Sequence, residues 1–318
     1  MAQLGTDIKE AKIRLQKGEV VAIPTETVYG LAANALDEKA VSSVFSIKNR
    51  PSFDPLIVHL ANHSSLENFC QDIPKDFYHL YDVFCPGPLT FILPKKNVVP
   101  DLVTAGSPTV GIRFPRHPLT QQLLESLDFP LAAPSANPFG YVSPTNARHV
   151  EQQLGERINY ILDGGDCEVG LESTIIDLSA GEPVILRLGG LSLEEIQAVT
   201  GKRYAVQTSS SNPKAPGMLS SHYAPGKKVV FDNMEENFRI FKGRRLGSIT
   251  FQKNVSGIPL ANQWVLSPNG DLKEAARNLF KCLRETDETD VEVILAERFP
   301  EEGLGRAIND RLMRAAAK

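Results

Sequence analysis

Hydrophobic and polar residues alternate along the first 200 positions with two different spacings. Short apolar runs bounded by turn-forming residues predict buried strands at 19–23, 56–60, 89–93, 109–114, 131–133, 174–178 and 184–188. Apolar residues three and four positions apart predict amphipathic helices, with Thr6 and Asp37 as the N-caps of the first two and a third near 119–127. Because strands and helices do not alternate strictly, we expect an α/β fold with a mixed, twisted sheet and helices packed on it.

This pattern is interrupted at 201–227, where a serine triplet (209–211) and three prolines occur with little periodicity, a composition typical of a linker. Strand-like runs at 228–231, 246–251 and 291–296 then alternate with helical spacing at 272–283 and 304–317. That alternation predicts a small parallel α/β, Rossmann-like domain. We therefore expect a first domain at 1–200, a linker at 201–227 and a C-terminal domain at 228–318.

Composition narrows the class of protein. The 318 residues are 42% hydrophobic and 23% charged with a net charge of −4, which argues against a nucleic-acid coat protein or a polybasic membrane binder. Any RNA binding is expected to be weak or indirect. No secretory signal and no apolar run of about 20 residues is visible, so we expect a cytoplasmic protein without a membrane association. The four cysteines are spread singly, which favours reduced thiols over a zinc site.

The familiar catalytic signatures, such as a phosphate-binding P-loop or a nucleophile elbow, are absent from the sequence. What remains is a set of polar residues at strand ends, where α/β folds place ligands. The segment 24–31, PTETVYGL, follows directly on the first strand and crowds hydroxyls, a carboxylate and a phenol together. Those residues form either a turn or part of a site.

Four cations have two readings each. Lys48 and Arg50 lie together in one short segment, and they form either a solvated basic turn or a polyphosphate site. Arg113 and Arg187 lie within apolar strands, where a buried guanidinium requires an anionic partner. That partner is either a protein carboxylate or a substrate carboxylate. His59 is similarly either a hydrogen-bonded core residue or a residue that faces a cavity.

Nine short segments together resemble the YrdC-like family in its two-domain form, the threonylcarbamoyl-AMP synthases. They occur in the family's order and are PTETVYGL (24–31), KNRP (48–51), PLIVH (55–59), CPGPLT (85–90), VGIRFP (110–115), APSAN (133–137), LESTI (171–175), LRLG (186–189) and SSHYAP (220–225). The segment 303–316, GLGRAINDRLMRAA, resembles the family's extra C-terminal domain. The resemblance implies a YrdC-like sheet for residues 1–200 and an active-site lid for the linker.

The resemblance also implies roles for individual residues. The L-threonine site would consist of Thr25, His59, Arg113, Ala133 and Ser173, with Arg113 on the amino-acid carboxylate. The ATP site would consist of Lys48, Arg50, Ser52, Thr109, Ser135, Ser143, Arg187 and Tyr223. Lys48 and Arg50 would in addition be the catalytic cations.

The implied reaction condenses L-threonine, bicarbonate or carbon dioxide, and ATP into threonylcarbamoyl-AMP and pyrophosphate, for modification of a tRNA adenosine. We expect magnesium bound with ATP and without direct protein ligands, no organic cofactor, and a downstream tRNA threonylcarbamoyltransferase as partner. Two alternatives remain open at this stage. One is an RNA-binding, translation-associated factor, and the other is a carbamoyl-transfer domain that uses carbamoyl phosphate.

Overall fold

The computed structural model describes residues 1–208, 214–218 and 222–317. Within them, eleven strands form one mixed sheet in the order β1-β8-β2-β3-β7-β4-β6-β5-β9-β10-β11. The strands are β1 (Gln3–Gly5), β2 (Val21–Ile23), β3 (Gly30–Asn34), β4 (Ile57–His59), β5 (Leu89–Pro94), β6 (Thr109–Arg113), β7 (Leu131–Ala132), β8 (Tyr160–Leu162), β9 (Thr174–Asp177), β10 (Val184–Arg187) and β11 (Ala205–Val206). Parallel and antiparallel pairs both occur, so the expected mixed sheet is confirmed.

Helices cover this sheet because their apolar stripes match its buried faces. They are α1 (Ile8–Gln16), α2 (Glu38–Lys48), α3 (Lys75–Phe84), α4 (Asp101–Thr104), α5 (Pro118–Ser126), α6 (Ala147–Leu154) and α7 (Leu193–Thr200), with a 3-10 turn at His63–Asn68. Asp37 caps α2 as predicted, through Lys39 N and Ala40 N. The prediction of Thr6 as the cap of α1 is wrong, because the carboxylate of Asp7 accepts the Lys9 N–H there.

Strand register brings distant polar residues to one end of the sheet. Parallel pairing of β4 with β6 sets His59 opposite Arg113, and antiparallel pairing of β5 with β6 sets Thr90 opposite the same arginine. Arg187 ends β10, opposite Ile175 of β9. Since β9 pairs with β5, the two strand arginines are separated only by β5 and β9.

The second sheet is smaller and fully parallel, in the order β12-β15-β13-β14. Its strands are β12 (Lys228–Phe231), β13 (Leu246–Thr250), β14 (Gln263–Val265) and β15 (Val293–Ala296), and its helices are α8 (Met234–Ile240), α9 (Leu272–Glu285) and α10 (Gly305–Ala316). A short 3-10 turn precedes β14 and another follows α9. The predicted parallel α/β unit is therefore confirmed, although the half-buried strand β14 was not predicted.

Helices α9 and α10 connect the second sheet to the first. The apolar stripe of α9 packs into a core that also contains Tyr223 of the linker. The ring of Tyr223 stacks on Phe280 of α9 with 5.5 Å between centroids. Arg311 of α10, fully buried, forms an ion pair with Glu172 of the segment before β9. In the described part of the chain, no helix is long and apolar enough to cross a membrane.

Candidate active site

A cavity of about 50 Å³ lies at the strand ends where the register collects these polar residues. Eight of the predicted site residues line it, namely Thr25, Arg50, His59, Arg113, Ala133, Ser135, Arg187 and Tyr223. Pro216, Gly217 and His222 of the linker also line it, as does the carboxylate-bearing Glu172. The two strand arginines and the linker thus meet around one space.

Arg113 has a protein carboxylate as its partner, which answers the question that the sequence left open. Its Nη2 donates to Oε1 of Glu26 and to Oγ1 of Thr27, both at 2.7 Å. The other oxygen of Glu26 accepts the backbone N–H of Arg116 at 2.8 Å. The Nε of Arg113 is buried and has no hydrogen-bond partner in the described ranges. The guanidinium is therefore anchored on one side and keeps an unused donor.

Thr25 shapes the turn after β2 as well as lining the cavity. Its hydroxyl donates to Val28 O at 2.6 Å and accepts the backbone N–H groups of Thr27 and Val28 at 3.2 Å. Both readings of the segment therefore hold, since the turn that Thr25 stabilises is also a wall of the cavity. The same turn directs Glu26 and Thr27 towards Arg113.

His59 is a neutral wall residue. Its Nδ1 lies 3.1 Å from Ile57 O. Burial and the neighbouring Arg113 lower the pKa of His59 to about 3. The imidazole therefore stays uncharged at neutral pH and adds no positive charge beside Arg113.

Lys48 and Arg50 are buried rather than solvated, which excludes the reading of an exposed basic turn. Lys48 Nζ donates to the carbonyl oxygens of Ser135 and Asn137, so it holds the APSAN segment and lies behind the cavity wall. Arg50 binds the carbonyl oxygens of Asp54 and Pro55 and forms an ion pair with Asp54 at 2.9 Å. Burial lowers the pKa of both cations, well below the usual value for Lys48.

Arg187 is a wall cation held mainly by neutral groups. Its Nε and Nη2 donate to the carbonyl and hydroxyl oxygens of Ser173 at 2.9 and 3.0 Å, and Nη1 donates to Pro216 O at 3.3 Å. No carboxylate of the described residues lies within 4.0 Å of it. Burial lowers the pKa of Arg187 to about 10. Ser173 acts on the cavity through Arg187 and does not itself line it.

Three other predicted residues lie apart from the cavity wall. Ser52 is exposed on the turn before β4. Thr109 begins β6, whereas Arg113 ends it, so about 13 Å of strand separates the two. Ser143 is buried and donates to Oε1 of Glu172 at 2.5 Å. The proposed roles of these residues in ATP binding remain predictions.

The sequence analysis did not assign Glu26, Glu172 or His222 to the site. Glu26 and Glu172 belong to the quoted segments PTETVYGL and LESTI, and each is a buried carboxylate paired with an arginine. His222 precedes Tyr223 and lines the cavity. Burial, followed by the positive charges of Arg50 and Lys48, lowers the pKa of His222 well below its usual value. Within the SSHYAP segment, Ser220 and Ser221 lie outside the described residues, as does the serine triplet 209–211.

Tyr223 is fixed from the C-terminal domain. Its backbone adopts a left-handed conformation with φ of 62°, and its side chain is buried. The guanidinium of Arg311 lies 5.1 Å from the ring centroid, and Phe280 stacks on the ring. The linker is thereby packed against the cavity by residues of α9 and α10.

Comparison with known proteins identifies the family. The Sua5/YciO/YrdC family model, described as "Telomere recombination", matches residues 14–189, and the model for the threonylcarbamoyl-AMP synthase C-terminal domain matches residues 191–317. The chain belongs to the threonylcarbamoyl-AMP synthase family. It is therefore a member of an enzyme family, and the fold and the family resemblance expected from the sequence are both confirmed.

Relatives in this family match nearly the whole chain. The threonylcarbamoyl-AMP synthase of Pyrococcus abyssi is 45% identical, with 97% of this chain and 95% of the relative covered. The enzyme of Bacillus subtilis is 40% identical, with 97% and 92% covered. The crystal structure of P. abyssi Sua5 complexed with L-threonine superposes with a TM-score of 0.91 at 43% identity, covering 97% of this chain and 94% of that one.

Proposed function

We propose that this chain condenses L-threonine, bicarbonate or carbon dioxide, and ATP into threonylcarbamoyl-AMP with release of pyrophosphate. The observation that carries the proposal is the convergence of Arg50, Arg113 and Arg187 on one cavity, although they come from three separate parts of the chain. An anion-receiving space of this kind suits an amino-acid carboxylate beside a nucleotide. The relative of known structure with L-threonine bound supports the same substrate.

In the proposed mechanism, the amine of threonine adds to carbon dioxide, or to bicarbonate with loss of water, and gives N-carboxythreonine. A carbamate oxygen then attacks the α-phosphorus of ATP, and the bond to pyrophosphate breaks. Arg113 would hold the threonine carboxylate, while Arg50 and Arg187 would hold the phosphates. The protein forms no covalent intermediate, so its contribution is to position the reactants and to stabilise developing charge.

Lys48 would act on the same phosphates from behind the wall. Its side chain donates to the carbonyl oxygen of Ser135, a residue that lines the cavity. Tyr223 and the linker would cover the carbamate, which protects an intermediate that hydrolyses readily. The present cavity of about 50 Å³ is far smaller than the roughly 300 Å³ that ligand pockets need at minimum. The proposal therefore requires the linker to move outwards when ATP enters.

We propose that magnesium enters this site bound to ATP. Among the described residues, no group of three or more acidic, cysteine or histidine side chains is placed to hold a metal ion. Magnesium bound to ATP would neutralise phosphate charge, and it would need no protein cage for that purpose. The proposal also includes a cytoplasmic location, where ATP and tRNA are available, and a downstream tRNA threonylcarbamoyltransferase that receives the product.

The test is pyrophosphate release with ATP, bicarbonate and one amino acid at a time. We expect release that depends on threonine and is abolished in Arg113→Ala. The matched control is Arg116→Ala, because its side chain is half exposed and pairs with the exposed Glu168, so activity should stay within twofold. Normal release by Arg113→Ala would remove that residue from the mechanism.

Two further measurements separate the alternatives. Consumption of carbamoyl phosphate without threonine would instead indicate the carbamoyl-transfer alternative. Salt-dependent RNA binding without ATP, in the absence of pyrophosphate release, would indicate the RNA-binding alternative.

A further inference from the structure

The surroundings of Glu26 indicate a role in the site that the family resemblance did not supply. Its carboxylate is 3% exposed, and both oxygens are used. Oε1 accepts from Nη2 of Arg113 at 2.7 Å, and Oε2 accepts from the backbone N–H of Arg116 at 2.8 Å. Glu26 is thus tied both to the side chain that ends β6 and to the main chain three residues further on.

Arg113 Nη2 has no capacity left for a ligand. It carries two N–H bonds, and it has a short contact to Glu26 and another to Thr27 Oγ1, each at 2.7 Å. The nearby Nε is buried and lacks a hydrogen-bond partner in the described part of the chain. A buried donor of this kind is costly unless a ligand completes it. The arginine also lines the cavity, where the substrate would supply the missing acceptor.

We propose that Glu26 is a positioning residue for the amino-acid substrate: with Thr27 it fixes Arg113 by Nη2 and thereby leaves the Nη1 and Nε donors for the substrate carboxylate. The inference rests on the proposed function, because it assumes that Arg113 binds the carboxylate of threonine. Glu26 acts through Arg113 and does not contact the substrate.

Positioning and plain electrostatics predict opposite results for Glu26→Gln. Removing the negative charge leaves Arg113 more positive towards an anion, so electrostatics alone would tighten threonine binding. The glutamine amide has only one acceptor oxygen for the two donors, Arg113 Nη2 and the Arg116 N–H, so it cannot hold both and the guanidinium loses its fixed orientation. If positioning dominates, threonine binding weakens despite the gained charge.

The experiment measures threonine affinity by calorimetry without ATP, and KM for threonine and for ATP in the pyrophosphate assay. For Glu26→Gln we expect at least a tenfold rise in the threonine Kd and KM, with the ATP KM within twofold of wild type. A structural defect without a positioning role would not separate the two substrates. The matched control is Glu168→Gln, which breaks the exposed pair with Arg116 and should change neither constant more than twofold.

Thr27→Val is the second variant, because it removes the other acceptor of Nη2 without changing charge or shape. It should raise the threonine KM severalfold with the ATP KM unchanged, and it decides the matter if Glu26→Gln does not fold. The inference would be overturned if folded Glu26→Gln bound threonine as tightly as wild type or more tightly. If Glu26→Gln does not fold, the same result in Thr27→Val would overturn it. Threonine-dependent release by the wild type would still stand in that case. Absence of that release would instead refute the proposed function.

Discussion

Two buried arginines, Arg187 of the first domain and Arg311 of the C-terminal domain, are neutralised in different ways. Arg187 of the first sheet donates to carbonyl and hydroxyl oxygens, and burial lowers its pKa to about 10. Arg311 of α10 is just as deeply buried, yet it pairs with Glu172 at 3.1 Å and with Asp310 at 2.8 Å. Although burial acts to lower the pKa of Arg311, its neighbours, Tyr223 and the two carboxylates, raise the pKa overall.

For these two residues, the difference separates ligand binding from structure, whereas Arg113 and Arg50 combine a protein carboxylate with a place in the cavity wall. A buried cation that lacks a carboxylate and also lines a cavity, as Arg187 does, is suited to an anionic ligand. A buried cation within an ion-pair network is already compensated, and it holds together the elements that supply its partners. Arg311 joins α10 to the segment before β9 in this way, whereas Arg187 lines the cavity. The four predictions below test this contrast.

The largest expected effect is on activity, in Arg187→Met. We expect kcat/KM for ATP to fall at least 100-fold, because the phosphates lose a cation in a poorly solvated site. The melting temperature should stay within a few degrees of wild type, since removal of an uncompensated charge offsets the lost hydrogen bonds. Pyrophosphate release and thermal unfolding provide the two measurements. If Arg187→Met were strongly destabilised but still active, Arg187 would be a structural residue and not a ligand-binding one.

The second effect is on stability, in Arg311→Met. We expect the free energy of unfolding to fall by about 3–5 kcal/mol, because Glu172 remains buried without its cation and Asp310 keeps only Arg314. Urea unfolding followed by the fluorescence of Trp264, the single tryptophan, measures this change in the C-terminal domain. A loss below about 1 kcal/mol would show that the network is not structural.

The third prediction concerns pH. His59 is held neutral by burial and by Arg113, with its pKa lowered to about 3 from 6.5. Between those values the unfolded chain binds more protons than the folded one, so stability decreases as the pH falls below 6.5. At pH 5 this amounts to about 2 kcal/mol. Comparison of urea unfolding at pH 7 and pH 5 should show that His59→Gln loses about that much less than wild type, and equal losses would contradict the prediction.

The smallest effect is expected at an exposed pair of α10. Arg306 binds Glu194 of α7 at 2.8 Å, and both side chains are partly solvated. Arg306→Ala should change the free energy of unfolding by about 0.5 kcal/mol and activity by less than twofold. It is the matched control for Arg311→Met, because both arginines extend from the same helix to the first domain. If Arg306→Ala lowered the free energy of unfolding as much as Arg311→Met, then exposed and buried contacts between the domains would contribute equally to stability.

Much of the fold could be predicted from the sequence because its signals are local. The apolar stripe of α9 and the Asp37 cap of α2 depend on residues a few positions apart. Strand β3 was missed because GLAAN lacks β-branched residues and follows a turn segment. Strand β14 was missed because it is short and half-buried. The domain boundaries at 200 and 227 remain predictions.

The part of the candidate site that lies at strand ends could be predicted, because sequence motifs mark those ends. Arg113, Arg187 and His59 were found because a polar residue in an apolar run is conspicuous. His222 was missed because it belongs to the linker, and contacts with distant residues such as Phe139 and Arg314 place it at the cavity. Ser52 and Thr109 came from the resemblance alone, and neither is among the described residues that line the cavity.

By itself, the sequence determined the α/β class, the two-part organisation and the family, because periodicity and ordered motifs are properties of neighbouring residues. Only the tertiary structure decided which acid neutralises which cation. Glu26 and Arg113 are 87 positions apart, and Glu172 and Arg311 are 139 apart. The local sequence around each residue does not predict its partner. Such pairings arise from strand register and domain packing, which bring distant parts of the chain together away from water.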